Sequence, residues 1–295
     1  MQSADFLSAV FFYLKEGENL NQNWIVENLN NAFSTWNGKL GELWGLVTTG
    51  PQTFKGGAVW SVMQTLHNGM VGIGYALVVL FFAISLCKNT MNFHELKRPE
   101  AAIHYFLRFV AAKALVGYGM DIMLNVFSFC NGIVTDMADS MGGISEAMVS
   151  LPAEMQTAIE NVGFLASIPL WLVTILGSLF ITVLSFVMIL TVYGRFFRLY
   201  MYTALAPLPL AAFAGESTQS VGISFLKSYV GVCLEGAVIV LACVIYSAFV
   251  STPTVTSGEA TTIVWSYLAE TVFNMLVLVG LIKGSDRIIH EMMGL

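Results

Sequence analysis

The chain has 295 residues, enough for one or two soluble domains, but 56% are hydrophobic, only 11% are charged, and the mean hydropathy is +0.73. Soluble domains carry about 25% charged residues, so this reads as a polytopic membrane protein whose length is taken up by spans and connections, and no separate catalytic domain is expected. The net charge of −6 excludes the chain-wide basic field of a nucleic-acid-binding surface, and the bases that exist cluster locally between spans.

The N-terminus does not read as a cleaved signal peptide. Asp5 precedes any base, Lys15 is the first, and Phe6 to Leu14 is only a brief apolar stretch; residue 1 is taken as mature. Trp24, Ile25, Leu29, Phe33, Trp36, Leu40, Leu43, Trp44 and Val47 recur at helical three-and-four spacing, with Asn, Glu and Lys between them. Gly50-Pro51 stops the pattern. Residues 1–57 are expected to form an outer, extracytoplasmic amphipathic helical region, in which the tryptophan-bearing face meets lipid headgroups or packs on its own core or a neighbouring subunit.

Residues 58–295 are expected to be an all-α transmembrane domain. Apolar runs of spanning length fall at about 66–87, 105–134, 164–193, 229–250 and 263–282, and the second and third exceed one hydrocarbon thickness, so tilt or extension is expected. With the N-terminus outside and the C-terminus cytoplasmic, ten of the thirteen bases (Lys88, Lys97, Arg98, Arg108, Lys113, Arg195, Arg198, Lys227, Lys283 and Arg287) lie on or near the cytoplasmic side. Only Lys15, Lys39 and Lys55 lie outside, and the loops 135–163 and 251–262 contain no base.

The loop after the second span carries Asp136, Asp139, Glu146, Glu154 and Glu160, either a solvated acidic face or a partner or cation site. Within it, Ser150 to Glu160 reads as a short helix, with Ser150 as cap and Pro152 in the first turn. After the third span the run 199–214 is apolar but too short to cross, and it carries Pro207 and Pro209. A sixth span here would move Lys227, Lys283 and Arg287 outside, so the charge count favours a re-entrant element or short hairpin on the inner face. Arg195 and Arg198, just before it, either snorkel to cytoplasmic headgroups or anchor the broken segment and meet a partner.

Two polar stripes run through the spans. Lys113, Gly117, Asp121, Asn125 and Ser128 share one face of the second, and Thr262, Ser266, Glu270 and Asn274 recur every four residues in the fifth. Glu235 sits nearer the cytoplasmic entrance of the fourth. Polar groups at depth are costly and must face protein or water, so Lys113, Asp121, Asn125, Glu235, Glu270 and Asn274 are candidates for interhelical pairing or for lining a pathway. Gly69, Gly72, Gly74, Gly280 and Gly284 are candidates for close helix approach.

No enzyme signature is present. His94-Glu95 has no second histidine at metalloprotease spacing, and there is neither a Gly-Lys-Ser/Thr phosphate loop nor a Gly-x-Ser-x-Gly elbow. His67, His94, His104 and His290 are scattered and read as surface or interfacial residues. Cys87, Cys130, Cys233 and Cys243 lie in apolar runs without metal-type spacing. Neither a cofactor nor a catalytic or metal site is expected. A secondary transporter or ion channel using intramembrane carboxylates is the alternative, but the halves show no inverted repeat.

The outer N-terminal region, five spans, a sizeable loop after the second, and the block Arg195-Phe-Phe-Arg198 with Ala206-Pro207-Leu208-Pro209 after the third together resemble the TrbL-type membrane component of type IV secretion and conjugal transfer systems. The resemblance extends from about Leu66 onward. It implies a homo-oligomeric channel or scaffold in the cytoplasmic membrane, without enzymatic activity of its own. Its implied partners are other secretion membrane subunits, cytoplasmic ATPases, membrane lipid and, transiently, single-stranded DNA or protein cargo. On this resemblance a compact form is expected, without the long hydrophilic C-terminal extension of many members and similar to versions on Gram-positive mobile elements.

Overall fold

The computed structural model describes the backbone of residues 2–90, 99–140, 148–162, 164–249 and 260–294, and the side chains of 24–88, 103–140, 148–162, 167–248 and 262–294. The described elements are all helical: α1 (Gln2–Thr48), a 3₁₀ turn (Phe54–Gly57), α2 (Ala58–Thr90), α3 (Pro99–Gly117), α4 (Gly119–Ser140), α5 (Ala153–Glu160), α6 (Phe164–Leu205), α7 (Pro207–Ala211), a second 3₁₀ turn (Ala212–Ala214), α8 (Gln219–Phe249) and α9 (Ala260–Met293). By length and composition Phe54–Lys88, Ser167–Leu205, Gln219–Ala248 and Thr262–Met293 are long and apolar enough to cross a membrane. A fifth candidate is the bent pair Ile103–Gly117 and Gly119–Ser140. The protein is thus an all-α, multi-pass membrane protein.

The chain divides into two compact units, one of residues 1–45, 141–191 and 241–283 and the other of 46–140, 192–240 and 284–295. In the first, the amphipathic face of α1 is buried: Ile25, Leu29, Phe33, Trp36, Leu40 and Leu43 are all nearly or wholly inaccessible, while Trp24 is exposed. This face therefore packs on protein, which settles the choice left open by its periodicity. Phe33 meets Tyr267 edge-on at 6.5 Å between centroids, and Lys39 lies over the Phe186 ring at 5.9 Å. Asn37 closes a two-way bond with Val149, donating from Nδ2 to its carbonyl at 2.8 Å and accepting its N–H at 2.9 Å. α5 begins later than its sequence suggests, because Pro152 is the N-cap and no side chain caps it. Ser150 instead offers its carbonyl to the Tyr267 hydroxyl at 3.0 Å.

In the second unit α7 is seated on α2 and α3, and its Leu210 and Ala211 join Val78, Val116 and Met123 in one buried cluster. Gly74 permits this seating, since a Cβ there would lie 2.9 Å from both the Pro207 carbonyl oxygen and Val116 Cγ1. Gly69, Gly72, Gly280 and Gly284 face open space, so the small-residue reading holds at one position of the five. Gly74→Ala must push α2 off backbone. It is expected to cost about 1–3 kcal/mol, read as a lower unfolding midpoint in detergent, whereas Gly72→Ala is expected to be silent.

The second predicted span is not one tilted rod. α3 and α4 meet at 72° on either side of Tyr118. Two close approaches fix the bend: a Cβ on Gly117 would lie 2.7 Å from the Tyr75 hydroxyl, and one on Gly119 would meet Leu210 at 3.2 Å and the His67 ring at 3.4 Å. Helical bonding continues through it, from Tyr118 N–H to Ala114 and from Ile122 N–H to Tyr118. The stripe that runs straight from Lys113 to Ser128 in projection is therefore split between two limbs.

Candidate functional site

The most elaborated part of the second unit begins where α6 ends. The apolar run after Tyr193 does not leave the helix at Leu199; α6 continues to Leu205, and the break comes at Ala206. No proline lies between Tyr193 and Ala206, and Pro207 takes the first position of α7, where its lack of an N–H costs least. The missing donor still leaves the carbonyl four residues back, that of Thr203, without its helical partner. His67 supplies the replacement, donating from Nδ1 at 2.7 Å. A carbonyl only accepts, so this bond fixes the Nδ1–H tautomer. His67 is buried, which corrects its reading as a surface or interfacial residue.

Arg195 is wholly inaccessible, so it does not snorkel to headgroups. Its Nε donates to the Val232 carbonyl at 3.2 Å, Nη2 to that of Cys233 at 3.0 Å, and Nη1 to that of Val47 at 3.3 Å. The last bond has a clear cause. α1 ends with no base in its final turn, leaving free carbonyls at the negative end of its dipole. Two side chains satisfy that end, Arg195 at Val47 and Asn131 Nδ2 at Thr48 (3.1 Å), and the Tyr200 hydroxyl donates to Pro51 in the turn beyond it (2.9 Å). Phe54, just beyond, stacks on Phe196 with centroids 4.0 Å apart. On the α8 side Gly236 makes room, because a Cβ there would lie 2.8–2.9 Å from the guanidinium atoms of Arg195.

Arg198, one turn on, makes an ion pair rather than carbonyl bonds. Its Nη2 reaches both carboxylate oxygens of Glu235 at 2.7 Å, and Nη1 pairs with Asp286. Glu235 is 1% exposed and also accepts from the Ser285 hydroxyl at 3.1 Å. One guanidinium nitrogen thus bridges both carboxylate oxygens and a hydroxyl adds a further bond, so the buried carboxylate is paired and hydrogen-bonded, as its burial requires. The two arginines thus tie α6 to α8, α9 and the end of α1.

The remaining predicted residues separate into groups. Asp121, Asn125 and Ser128 do share a face of α4, lining with Gln52 and Asn131 a polar groove of about 530 Å³ beside the Gly50–Gln52 turn. Lys113, on the other limb, is exposed and outside that groove. In the first unit Glu270 is exposed with Thr262 and Ser266, whereas Asn274 is buried. Pro207 is buried and Pro209 half-buried. Lys97, Arg98, His94 and the loop 251–259 lie outside the described residues. Among the described residues no group of His, Cys, Asp and Glu is arranged to hold a metal ion.

Sequence reasoning missed His67, Asn131, Tyr200, Gly236, Ser285 and Asp286. For His67 a signal existed, since Pro207 implies a free carbonyl at Thr203, although not which residue answers it. The others are long-range partners with no local signature.

The sequence matches the family of TrbL/VirB6 plasmid conjugal transfer-like proteins over residues 36–207. The match begins in the amphipathic half of α1, earlier than the resemblance noted above, and ends at Pro207 as α7 starts. Neither a curated protein nor a solved structure matches the chain. The match covers more than half of the chain, and within it lie Arg195, Arg198, the bend at Tyr118 and the break at Pro207; the chain therefore belongs to the TrbL/VirB6 plasmid conjugal transfer-like family.

Proposed function

We propose that this protein is a channel or scaffold subunit of a type IV secretion machine. It assembles as a homo-oligomer with other membrane subunits and cytoplasmic ATPases, and it assists single-stranded DNA or protein across the cytoplasmic membrane without chemistry of its own. The observation that carries this reading is the family match over residues 36–207. The polar groove of Asp121, Asn125 and Ser128, with exposed Lys113 and Glu270, supplies polar surface at span depth for subunit contact or passage. In the inner-face element, Arg198 and Pro209, which stay partly exposed, are the parts open to partners, whereas Arg195 and Pro207 are buried and hold it in place. To test passage, transferring DNA is cross-linked in donor cells and recovered with the tagged protein. Enrichment of the transferred strand over a non-mobilised plasmid is expected; equal recovery of both would remove the channel role. Solute flux through vesicles holding the purified protein alone would favour a transporter instead.

The proposed orientation has the N-terminus outside. In a background lacking Cys87, membrane-impermeant thiol reagents applied to intact cells are expected to label Ser140→Cys and spare Thr218→Cys, which becomes reactive only after lysis. Labelling of both from the same side overturns this topology.

A further inference from the structure

One face of α3, from His104 to Leu115, borders a cavity of about 640 Å³ whose opposite wall is Phe213, Glu216 and Gln219. Its polarity is graded along the helix. His104, Tyr105 and Arg108 come first, with Leu107 among them, and the purely apolar Ala111, Ala112 and Leu115 follow over the next two turns, with the whole face roughly 16 Å long. Arg108 Nη2 donates to the Gln219 amide oxygen, so the start of α8 lies level with the polar end. That end coincides with the beginning of the first limb of the bent span, Ile103–Gly117, and so lies where a span meets headgroups, while the alanine-lined end lies where it meets hydrocarbon.

A slot with a charged mouth and an apolar continuation at this depth matches a phospholipid, and its volume is that of a small-molecule site. The mouth narrows the choice. It holds one guanidinium, Arg108, with four N–H donors beyond the one given to Gln219, and one carboxylate, Glu216. A phosphate suits the first and an ammonium the second, whereas a purely anionic headgroup would face Glu216 unfavourably. We infer that this slot holds one aminophospholipid, with its phosphate on Arg108, its ammonium toward Glu216 and an acyl chain along Ala111, Ala112 and Leu115 beside Phe213. The ligand docks against α3, the second 3₁₀ turn and the start of α8, and its binding is independent of what cargo the protein serves.

Native mass spectrometry of the full chain in detergent tests this, using phosphatidylethanolamine and phosphatidylglycerol in equal amounts. One phosphatidylethanolamine per chain is expected, preferred about tenfold, a difference of about 1.4 kcal/mol. Arg108→Ala is expected to reduce retention of either lipid about tenfold, and Glu216→Gln to retain lipid but lose the preference. Ala111→Phe, on an exposed position, should block binding with helix content and elution volume unchanged. Equal retention of the two lipids by the unmodified chain, or lipid binding undiminished in Ala111→Phe, overturns the assignment. So does displacement of the lipid by glycerophosphoethanolamine or inorganic phosphate at the same concentration, since either would make this a headgroup or free-phosphate site without an acyl slot.

Discussion

Replacing Arg195 by alanine is expected to lower stability by about 3–5 kcal/mol, the range for removing one member of a buried charged arrangement. The loss has three sources: carbonyls of Val47, Val232 and Cys233 lose a charged donor, a cavity opens beneath α8, and Glu235 loses a nearby cation. Arg195→Lys keeps the charge but replaces a planar fork with a single ammonium, which cannot span donors to two helices at once. It should recover about half of the loss. Denaturant titration in mixed micelles, followed by circular dichroism, reads both. An Arg195→Ala protein that unfolds with the original midpoint would mean that the guanidinium does not hold α1, α6 and α8 together. A useful companion is Gly236→Ala, whose added Cβ must displace the same guanidinium and should cost about 1–3 kcal/mol.

The second large effect concerns Arg198 and Glu235. Arg198→Gln leaves a carboxylate that is 1% exposed with only the Ser285 hydroxyl and no cation bonded to it. A cost of about 2–3 kcal/mol is expected, below the fully buried case because Arg198 itself is 27% exposed. Glu235→Gln keeps the shape of the side chain and frees Arg198 to remain on Asp286, so it should cost about 1–2 kcal/mol. The double variant is expected to be less damaging than the sum of the two by about 1–2 kcal/mol, because the second change removes the group that the first left unpaired. Asp286→Asn, at a 42% exposed position, should change stability by less than about 1 kcal/mol. Strict additivity of Arg198→Gln and Glu235→Gln would show that the pair is not coupled.

What the sequence revealed and what it hid follow from the range of the interactions. The buried face of α1 was legible because burial on one side leaves a 3.6-residue period, and six of the predicted positions between Ile25 and Leu43 are indeed buried. The spans were legible from hydropathy, but their ends were not, since α6 runs twelve residues beyond Tyr193 and α8 starts ten residues before Tyr229. Both extensions are held by protein contacts, such as Tyr200 on Pro51 and Arg108 on the Gln219 amide oxygen, which hydropathy does not register. The bend at Tyr118 was hidden because Gly117 and Gly119 in an apolar run look like ordinary small residues. Only the approach of Tyr75, His67 and Leu210 makes them a hinge point.

The same reasoning accounts for the arginines. The expectation for a base at the end of a long apolar run is an interfacial anchor, whereas Arg198, though partly exposed, gives its guanidinium to Glu235 and Asp286. That expectation fails for Arg195 because the free carbonyls at the C-terminus of α1 lie 148 residues away in sequence. The stripe residues were half legible. Asp121, Asn125 and Ser128 form one groove wall, whereas Lys113 is carried away by the bend.

The central claim, that this member of the TrbL/VirB6 family works in conjugal transfer, is tested most directly by transfer frequency from donors lacking only this gene. The account predicts a fall to the background of a non-mobilised plasmid, full restoration by the intact gene in trans, and no restoration by Arg195→Ala. Undiminished transfer from the deletion strain would contradict it.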